Sequence, residues 1–325
     1  MFNRLPAELQ ARILEFAVPP PGGSTWAENR IHTAGTLALV HPTWTRSARR
    51  LMWEPMWLNV SGYGAISTLK LERRITKAEE VLGRPVRSLW LELPMRPMPK
   101  EARALDLLVG KCPQVEGAWI NHGGASFATL SKLSKLTRLH LIGIEFERGA
   151  SFAGIADRLA FLSFDACFGA LHLAPLPHLS TLVFRSCKAP ERRQDVNFAR
   201  QFPSVQSFEW GSVSALPTSC VNTLPASVRR LALGVIYEPY KYNHHDTGTP
   251  LVLPDSLEEL ILRVQMRKDN EDDEDEVELV RQWGQQACDK NGVRLEMHVE
   301  EIEAEAAHYV PQLNELYSGL GGLWY

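Results

Sequence analysis

One short pattern recurs through most of the chain and constrains its fold more than any other feature. The pattern is an apolar residue, two residues of any type, a second apolar residue, one residue of any type and a third apolar residue. It starts at Val86, Val115, Leu136, Leu159, Leu179, Val205, Val228 and Leu257. Successive starts lie 20 to 29 residues apart, a spacing typical of a repeat protein in which each unit supplies one short strand.

Prolines give independent support for these units, which is needed because 45% of the residues are apolar and the pattern also arises by chance. Six of the eight units have a proline within three residues ahead of the start. These prolines are Pro85, Pro113, Pro177, Pro203, Pro225 and Pro254. Proline has no N–H to donate into a sheet, so it is favoured at strand entrances. The units therefore predict eight short strands.

The spacing and pattern of the units resemble those of leucine-rich repeats. The resemblance implies an α/β fold, an irregular solenoid with a parallel sheet on its concave face and loops and short helices behind it. Further elements are expected around the repeats: a first strand at Leu58 and Val60, a returning helix from Ala65 to Leu82, a last strand at Val293, Leu295 and Met297, and a closing segment from Ile302 to Tyr325.

The cysteines indicate no disulfide framework and no structural zinc site. There are five of them, an odd number, and no two form a CxxC pair. Cys167 and Cys187 fall three residues after the last apolar position of their units. Leucine-rich repeats place a Cys or Asn there to satisfy the amides of the loop, which disfavours a redox or metal role for both residues.

Alternation along the predicted strands assigns side chains to two faces. The apolar positions of the pattern point into the core, and the residues between them point toward the predicted concave face. Trp90 and Trp119 share one register and are expected to stand side by side, exposed. The predicted substrate-binding residues are Trp90, Trp119, Arg138, His140, Phe161 and Arg185. The alternative is that residues 94–111 fold over Trp90 and bury it.

The first 57 residues are predicted to form a separate helical region. Leu5, Leu9, Ile13 and Phe16 recur at helical spacing after the start of the chain, and the prolines at 19–21 end that helix. Two more short helical pieces follow, broken at Pro42. A bundle this small needs another part of the chain or a partner to lean on. The predicted domains are therefore residues 1–57 and residues 58–325.

The motifs in this helical region resemble the F-box, the motif of substrate-receptor subunits in Skp-cullin-F-box ubiquitin ligases. The resemblance covers residues 3–57 and rests on Leu5-Pro6-Ala7-Glu8-Leu9, Ile13-Leu14, Leu39-Val40-His41-Pro42-Thr43-Trp44 and Leu51-Met52-Trp53. The insertion from Val18 to about Thr36 is longer than the usual link between the first two F-box helices.

The F-box resemblance implies a non-catalytic receptor that binds a Skp-type adaptor, and through it a cullin, while its repeats hold a protein substrate. The residues expected to form or support the adaptor surface are Leu5, Pro6, Leu9, Ile13, Leu14, Val40, Trp44, Leu51 and Trp53. In the alternative interpretation these residues only cap the repeats, and the chain is a leucine-rich-repeat binding scaffold without a ligase.

Charge is distributed unevenly along the chain. Residues 269–325 carry 15 acidic and 3 basic residues, a net charge of −12, which leaves +9 for the rest. Seven of these acidic residues lie between Asp269 and Glu276, a run interpreted as a solvated loop before a helix with Val277, Val280, Trp283 and Ala287 on one side. An acidic docking tail is the alternative. The basic residues form no dense cluster, so nucleic-acid binding is not expected.

Enzyme chemistry, cofactors, metals and membranes are not expected from this sequence. None of the GxSxG, GxxxxGK[ST], HExxH, GxGxxG or EF-hand patterns occurs. His244-His245-Asp246 lacks partners at ligand spacing. No apolar run reaches the roughly 18 residues that span a bilayer, and the amino terminus has no secretory pattern, which favours the cytosol or nucleus. An unrecognised active site on the concave face is the remaining enzymatic alternative.

Overall fold

The computed structural model shows an α/β protein whose strands pair in parallel. It describes residues 6–18, 26–59, 68–93, 99–121, 127–172, 175–187, 197–211, 218–236, 252–267, 271–289 and 292–302. The chain forms two compact units, Met1–Ile142 and Gly143–Tyr325. The first unit holds the helical start together with the first strands, and the division of the chain into residues 1–57 and 58–325 stays a prediction.

The described part of the first unit combines six helices with four strands. The helices are α1 (Ala7–Ala17), α2 (Trp26–Val40), α3 (Thr45–Trp53), α4 (Thr68–Leu82), α5 (Pro99–Lys111) and α6 (Phe127–Leu130). The strands are β1 (Met56–Asn59), β2 (Ser88–Glu92), β3 (Gly117–Asn121) and β4 (Arg138–Ile142). The strands pair in parallel in the order β1-β2-β3-β4. Their order in the sheet is therefore their order in the chain.

The three predicted amino-terminal helices are present, with one correction to their bounds. Helix α1 follows Pro6 and ends before Val18, whose extended backbone stops the helix. Helix α2 begins at Trp26, so residues 26–36, interpreted from the sequence as part of a loop insertion, are helical. No proline interrupts this stretch, and the buried Ala34 lets α2 pack against α3.

The described part of the second unit contains eight strands and three helices. The strands are β5 (Glu145–Ser151), β6 (Phe161–Asp165), β7 (Phe168–His172), β8 (Thr181–Arg185), β9 (Ser207–Gly211), β10 (Arg230–Ile236), β11 (Glu259–Arg267) and β12 (Arg294–Ile302). The helices are α7 (Phe198–Gln201), α8 (Thr218–Val221) and α9 (Glu271–Asp289). Six strands pair in parallel in the order β6-β8-β9-β10-β11-β12. Strands β5 and β7 were not predicted from the repeats, and they pair with each other as a second small parallel sheet.

Every one of the eight sequence repeats forms a strand that begins two residues after the start of the repeat. The expected first strand is present as β1 around Leu58, and the expected last strand as β12. The predicted returning helix is α4, which begins at Thr68. Each unit by itself is compatible with a solenoid-like α/β fold, in which each turn of chain adds one parallel strand.

Backbone hydrogen bonds at the strand entrances repeat from unit to unit. At the entrance to β9, the N–H groups of Gln206 and Ser207 both donate to the carbonyl of Ser180, over 2.9 and 3.0 Å. Two consecutive N–H groups also share one carbonyl at Arg87, Glu116, Ala160, Gln206 and Arg229. This shared acceptor fixes the register of each strand against its predecessor, because it ties the first residues of one repeat to the previous repeat.

Three of the predicted strand-entrance prolines lie inside tight turns that lead into the strands. Pro203 is the second residue of a turn closed by the Val205 N–H on the Phe202 carbonyl, over 3.2 Å. Pro113 and Pro177 occupy the same place before their strands. The second turn position suits proline because its ring fixes φ near the value that the turn requires.

A row of aromatic side chains forms the core of the second unit. Phe164 on β6 and Phe184 on β8 are cross-strand partners, with ring centroids 5.0 Å apart and nearly parallel planes. Phe184 also contacts Trp210 on β9, at 5.2 Å between centroids. All three side chains are buried. The row therefore ties three successive repeats together, and such pairs add about 0.5–1.5 kcal/mol each beyond their burial.

The acidic run is helical where the structure describes it, which corrects its interpretation as a loop. Residues 271–276 form the start of α9, while residues 269 and 270 lie outside the described residues. Carboxylates near a helix amino terminus are stabilised by the helix dipole. The predicted helix through Val277 and Val280 is present, and both of these side chains are buried. Helix α9 packs closely against the sheet at Gly284. A Cβ at this position would come within 2.7 Å of Leu262 Cδ1 on β11, so a larger residue would not fit without a shift.

Several predicted features fall outside the described residues. They are Leu5, Val60, residues 65–67, the His244-His245-Asp246 cluster and the closing segment beyond Ile302. Among the described helices, none is long and apolar enough to cross a membrane.

We expect replacement of Phe184 to destabilise the protein strongly. Phe184 is 1% exposed, and Phe184→Ala would leave a cavity between Phe164 and Trp210. The expected loss is about 3–5 kcal/mol in the free energy of unfolding, measured by urea denaturation. Phe16→Ala is the matched control, because Phe16 is 90% exposed and its replacement should cost close to nothing. Equal losses for the two variants would contradict the role of Phe164, Phe184 and Trp210 in the core of the second unit.

Candidate functional site

Two surfaces hold most of the residues that the sequence patterns singled out. The first is the variable face, defined as the side of each sheet that carries the residues between the apolar positions of the repeats. The second is the outer side of helices α1 and α2. The first and second units each contribute a stretch of variable face.

An aromatic row crosses the variable face of the first unit. Trp57, Trp90, Trp119 and His140 are successive cross-strand partners on β1 to β4. The Trp119 and His140 rings stack with centroids 4.7 Å apart and planes 9° from parallel. The predicted side-by-side placement of Trp90 and Trp119, next to His140, is therefore confirmed.

The expectation that Trp90 and Trp119 are exposed is wrong, because they are only 0% and 9% exposed. They form a buried cluster, against which the half-buried Trp57 and Ile142 pack. Large aromatic rings in register on adjacent strands bury one another, and this cross-strand packing removes much of their accessible surface. The alternative in which residues 94–111 cover Trp90 stays open, since residues 94–98 lie outside the described part of the chain.

Two polar atoms on β3, one in this aromatic row and one beside it, are buried without a hydrogen-bond partner in the described part of the chain. They are Trp119 Nε1 and Asn121 Oδ1. At the other end of the row, Trp57 Nε1 donates to Glu92 Oε1 over 3.0 Å. Of the other predicted substrate-binding residues, Arg138 on β4 is exposed and lies on the same face, two residues before His140.

Arg74 of α4 links the helical start to the first strand. Its guanidinium carbon lies 5.8 Å from the ring centroid of Trp53 on α3 and 5.6 Å from that of Trp57 on β1. Burial lowers the pKa of Arg74 below its ordinary value. Arginine over tryptophan is a favourable cation–π contact, and here it joins three elements. No sequence pattern pointed to Arg74, because its partners meet only in the folded chain.

The variable face of the second unit carries arginines bridged by half-buried carboxylates. Arg185 Nε on β8 donates to Glu209 Oε1 on β9 over 3.1 Å, and Arg263 Nη1 on β11 donates to the same oxygen over 2.7 Å. A second such triplet lies nearby, where Glu259 accepts from Arg230 over 2.8 Å and from Arg294. Phe161 is half-buried on the same face.

The two arginines keep Glu209 ionised. Burial by itself raises the pKa of Glu209, but the charges and hydrogen bonds of Arg185 and Arg263 outweigh it, so the pKa lies below its ordinary value. Asp165, the cross-strand partner of Arg185, shows the opposite balance. Its pKa is raised by burial, against the opposing effects of Arg185 and a Ser186 hydrogen bond.

Cys167 and Cys187 lie two residues after the ends of β6 and β8, and their role in satisfying loop amides, as in leucine-rich repeats, stays a prediction. Each is buried and donates its thiol hydrogen to the carbonyl two residues earlier, Asp165 over 3.4 Å and Arg185 over 3.2 Å. Burial raises the pKa of Cys167 to about 12, although backbone hydrogen bonds oppose the rise. Both sulfurs therefore remain thiols at neutral pH and are poor nucleophiles.

The outer side of the helical start carries exposed apolar side chains. Leu9, Ile13 and Phe16 are spaced four and three residues apart on one face of α1, and all three are exposed. Leu39 and Val40 are exposed at the end of α2, Leu39 to 89%. The core of this region is instead formed by the buried residues Leu14, Val18, Ala34 and Ala48. The main apolar stripe of α1 thus points outward.

The other predicted adaptor-binding residues fall into two groups. Pro6 is exposed, as are Leu9, Ile13 and Val40. Trp44, Leu51 and Trp53 are half-buried, and Leu14 is buried, so these four can only support a surface or contribute its edges.

Two arginines hold the helical start in place through backbone carbonyls. Arg30 of α2 donates to the carbonyls of Leu51 and Glu54 at the end of α3, over 3.2 and 2.9 Å. Arg50 of α3 donates to the Leu82 carbonyl at the end of α4, over 3.1 Å. Cations satisfy carboxyl-terminal helix carbonyls well, because these carbonyls lack partners within the helix. The bundle is thus anchored without using its exposed apolar stripe.

Comparison with known protein families and with curated proteins finds no match to this sequence. In the part of the chain that the structure describes, no three His, Cys, Asp or Glu side chains are grouped so that they could hold a metal ion.

We expect the contribution of Glu209 to the free energy of unfolding to decrease as the pH is lowered. Because its folded-state pKa is lowered, the ionised carboxylate stabilises the fold above the unfolded value near 4.5, and this contribution disappears as the pH falls through the folded pKa. Glu209→Gln should cost about 1 kcal/mol at pH 7, a value reduced for the partial exposure of the arginines, and progressively less toward pH 3.

The measurement is the free energy of unfolding of both proteins by urea between pH 7 and pH 3. Glu258→Gln is the matched control, because Glu258 pairs with Arg229 over 3.2 Å while both side chains are largely exposed. A difference between Glu209→Gln and the unaltered protein that stays constant with pH would refute the assignment.

Proposed function

We propose that this chain is the substrate-recognition subunit, an F-box protein, of a Skp-cullin-F-box type ubiquitin ligase. In this proposal residues 3–57 bind the Skp-type adaptor, and through it a cullin, while the variable face binds a protein substrate. The chain is non-catalytic here. It accelerates ubiquitin transfer by holding the substrate near the catalytic subunits, which is catalysis by proximity.

One observation carries the proposal: the segment that resembles the F-box exposes its apolar stripe. Leu9, Ile13 and Phe16 do not serve the core of the bundle, although burying each side chain would contribute about 1.5–3 kcal/mol. Apolar side chains grouped on a small, anchored helical bundle are what a protein interface requires at its centre. Leu39 and Val40 add exposed aliphatic side chains from another part of the motif.

The parallel strands support the second half of the proposal. Each repeat places side chains of different chemistry on the variable face, such as His140 on the first unit and Arg185 on the second. Stacked repeats of this kind give extended surfaces on which each unit can vary independently, a property that suits protein recognition. Aromatic and arginine side chains dominate measured binding energies at such surfaces.

The alternative is a leucine-rich-repeat scaffold that binds proteins without a ligase. The hydrogen bond from Arg50 to the end of α4 favours it, since it attaches the bundle to the repeats as a cap is attached. A cap, however, turns its apolar side toward the stack. The exposed stripe of α1 therefore favours the adaptor-binding function.

We expect Leu9→Asp combined with Ile13→Asp to abolish co-purification of the full chain with a Skp-type adaptor. Both side chains are exposed, so the variant should fold with an unchanged unfolding midpoint while losing its apolar contact. The expected loss of affinity is at least about a hundredfold, measured by titration of the purified adaptor.

Thr76→Asp is the matched control, because it places the same carboxylate on an exposed position of α4, away from the exposed apolar residues of α1 and α2. It should retain the adaptor. Retention of the adaptor by the double variant, or its absence from the unaltered protein, would leave the scaffold as the function.

A further inference from the structure

Arg185 and Arg263 form a clamp on the variable face of the second unit. Their strands, β8 and β11, are separated by β9 and β10, a distance of about 14 Å between backbones. Both side chains nevertheless reach one oxygen of Glu209, over 3.1 and 2.7 Å. The two guanidinium groups therefore lean toward each other across the face.

Glycines form the floor beneath this clamp. Gly211 is the cross-strand partner of Arg185, and Gly234 is that of Arg263. Gly234 suits the close packing of the sheet, because a Cβ there would lie 3.1 Å from Gly211 Cα and 3.2 Å from the Trp210 carbonyl oxygen. At Gly211 a Cβ would meet nothing closer than 3.7 Å, so the sheet itself does not demand glycine there. Glycine within a strand is typical of a place where another chain approaches closely.

Glu209 holds the two arginines of the clamp in position and uses few of their N–H groups. Glu209 is only 12% exposed, whereas Arg185 and Arg263 are nearly half exposed. Each guanidinium has five N–H groups and gives one to Glu209 Oε1. Because Glu209 fixes both side chains beforehand, a second anion that binds them loses less conformational entropy on binding.

We propose that this clamp binds the carboxylate of an Asp or Glu side chain in an extended segment of a partner protein. The inference rests on the proposed function, in which the variable face holds a protein substrate, and it names the chemistry of that substrate. Arginine pairs bind carboxylates through charge-assisted hydrogen bonds that are stronger than neutral ones.

The local charge favours a carboxylate over a phosphate. Arg185, Arg263 and Glu209 together carry +1, which one carboxylate neutralises. A phosphorylated side chain carries about −1.5 to −2 and would leave negative charge beside Glu209. Asp165, the cross-strand partner of Arg185 on β6, is a further acidic side chain, and it disfavours a doubly charged ligand more strongly than a singly charged one. The position of Glu209 therefore selects against the more highly charged ligand.

The test uses three pools of biotinylated twelve-residue peptides and the purified full chain without adaptor. The pools share random neutral flanks and carry Glu, Gln or phosphoserine at the central position. We expect the Glu pool to bind about fivefold to tenfold more tightly than the Gln pool, and more tightly than the phosphoserine pool. Equal binding of Glu and Gln, or a preference for phosphoserine, would overturn the proposal.

Variants locate the effect on the clamp. Arg185→Gln and Arg263→Gln should each remove most of the preference for Glu over Gln, whereas Arg229→Gln, an exposed arginine paired with Glu258, should keep it. Gly211→Leu fills the floor without a close backbone contact and should also remove the preference. A preference that survives in all three clamp variants, each with an unchanged unfolding midpoint, would place the binding elsewhere.

Glu209→Gln gives the sharpest outcome, because it raises the charge of the clamp from +1 to +2 while keeping a side chain of the same shape. The preferred pool should then change from Glu to phosphoserine. An unchanged preference would mean that Glu209 does not select the ligand, and the proposal would fail. If the peptide preference is absent while the chain binds the adaptor, only the proposed ligand class is rejected. If the chain prefers the Glu pool but does not bind the adaptor, only the proposed ligase role is rejected.

Discussion

Every strand of a parallel repeat leaves its N–H and C=O groups without partners until the neighbouring repeat aligns with it, and this constraint organises the protein. The alignment is set at the strand entrances, where two consecutive N–H groups, such as those of Gln206 and Ser207, share one carbonyl of the preceding repeat. Once the register is fixed there, the faces follow by alternation. Phe164 stacks on Phe184 in the core, and Arg185 faces Gly211 on the variable face.

The two candidate surfaces differ in how they are held. On the variable face of the second unit the charged side chains pair with one another, with Glu209 between two arginines. The apolar stripe of α1 is exposed and does not pack into the core of the bundle. The bundle is instead anchored by Arg30 and Arg50, which donate to carbonyls at helix ends. Anchoring by backbone contacts leaves the stripe exposed, so that the proposed adaptor binding and the proposed substrate binding can be tested by separate mutations.

Local patterns predicted the strands well and long-range features poorly. All eight repeats form strands, because the alternation that marks them acts within a few residues, and six of them also have an entrance proline. The pairing of β5 with β7 had no such pattern, since each strand depends on the other being present. Trp90 was placed in the correct register but its exposure was wrong, because burial depends on what the neighbouring strands carry. Helix α2 was predicted too short, since the segment before Thr36 had no clear stripe of its own.

The sequence by itself determined the repeat length, the strand positions, the side chains of each face and the order of the helices. These properties follow from local sterics and from the period of two along a strand. Only the tertiary structure decided that the α1 stripe points outward, that Arg74 lies over Trp53 and Trp57, and that Arg185 and Arg263 meet at Glu209. Such contacts join residues far apart in the chain, and they form only once the stacked repeats have fixed each backbone relative to the next.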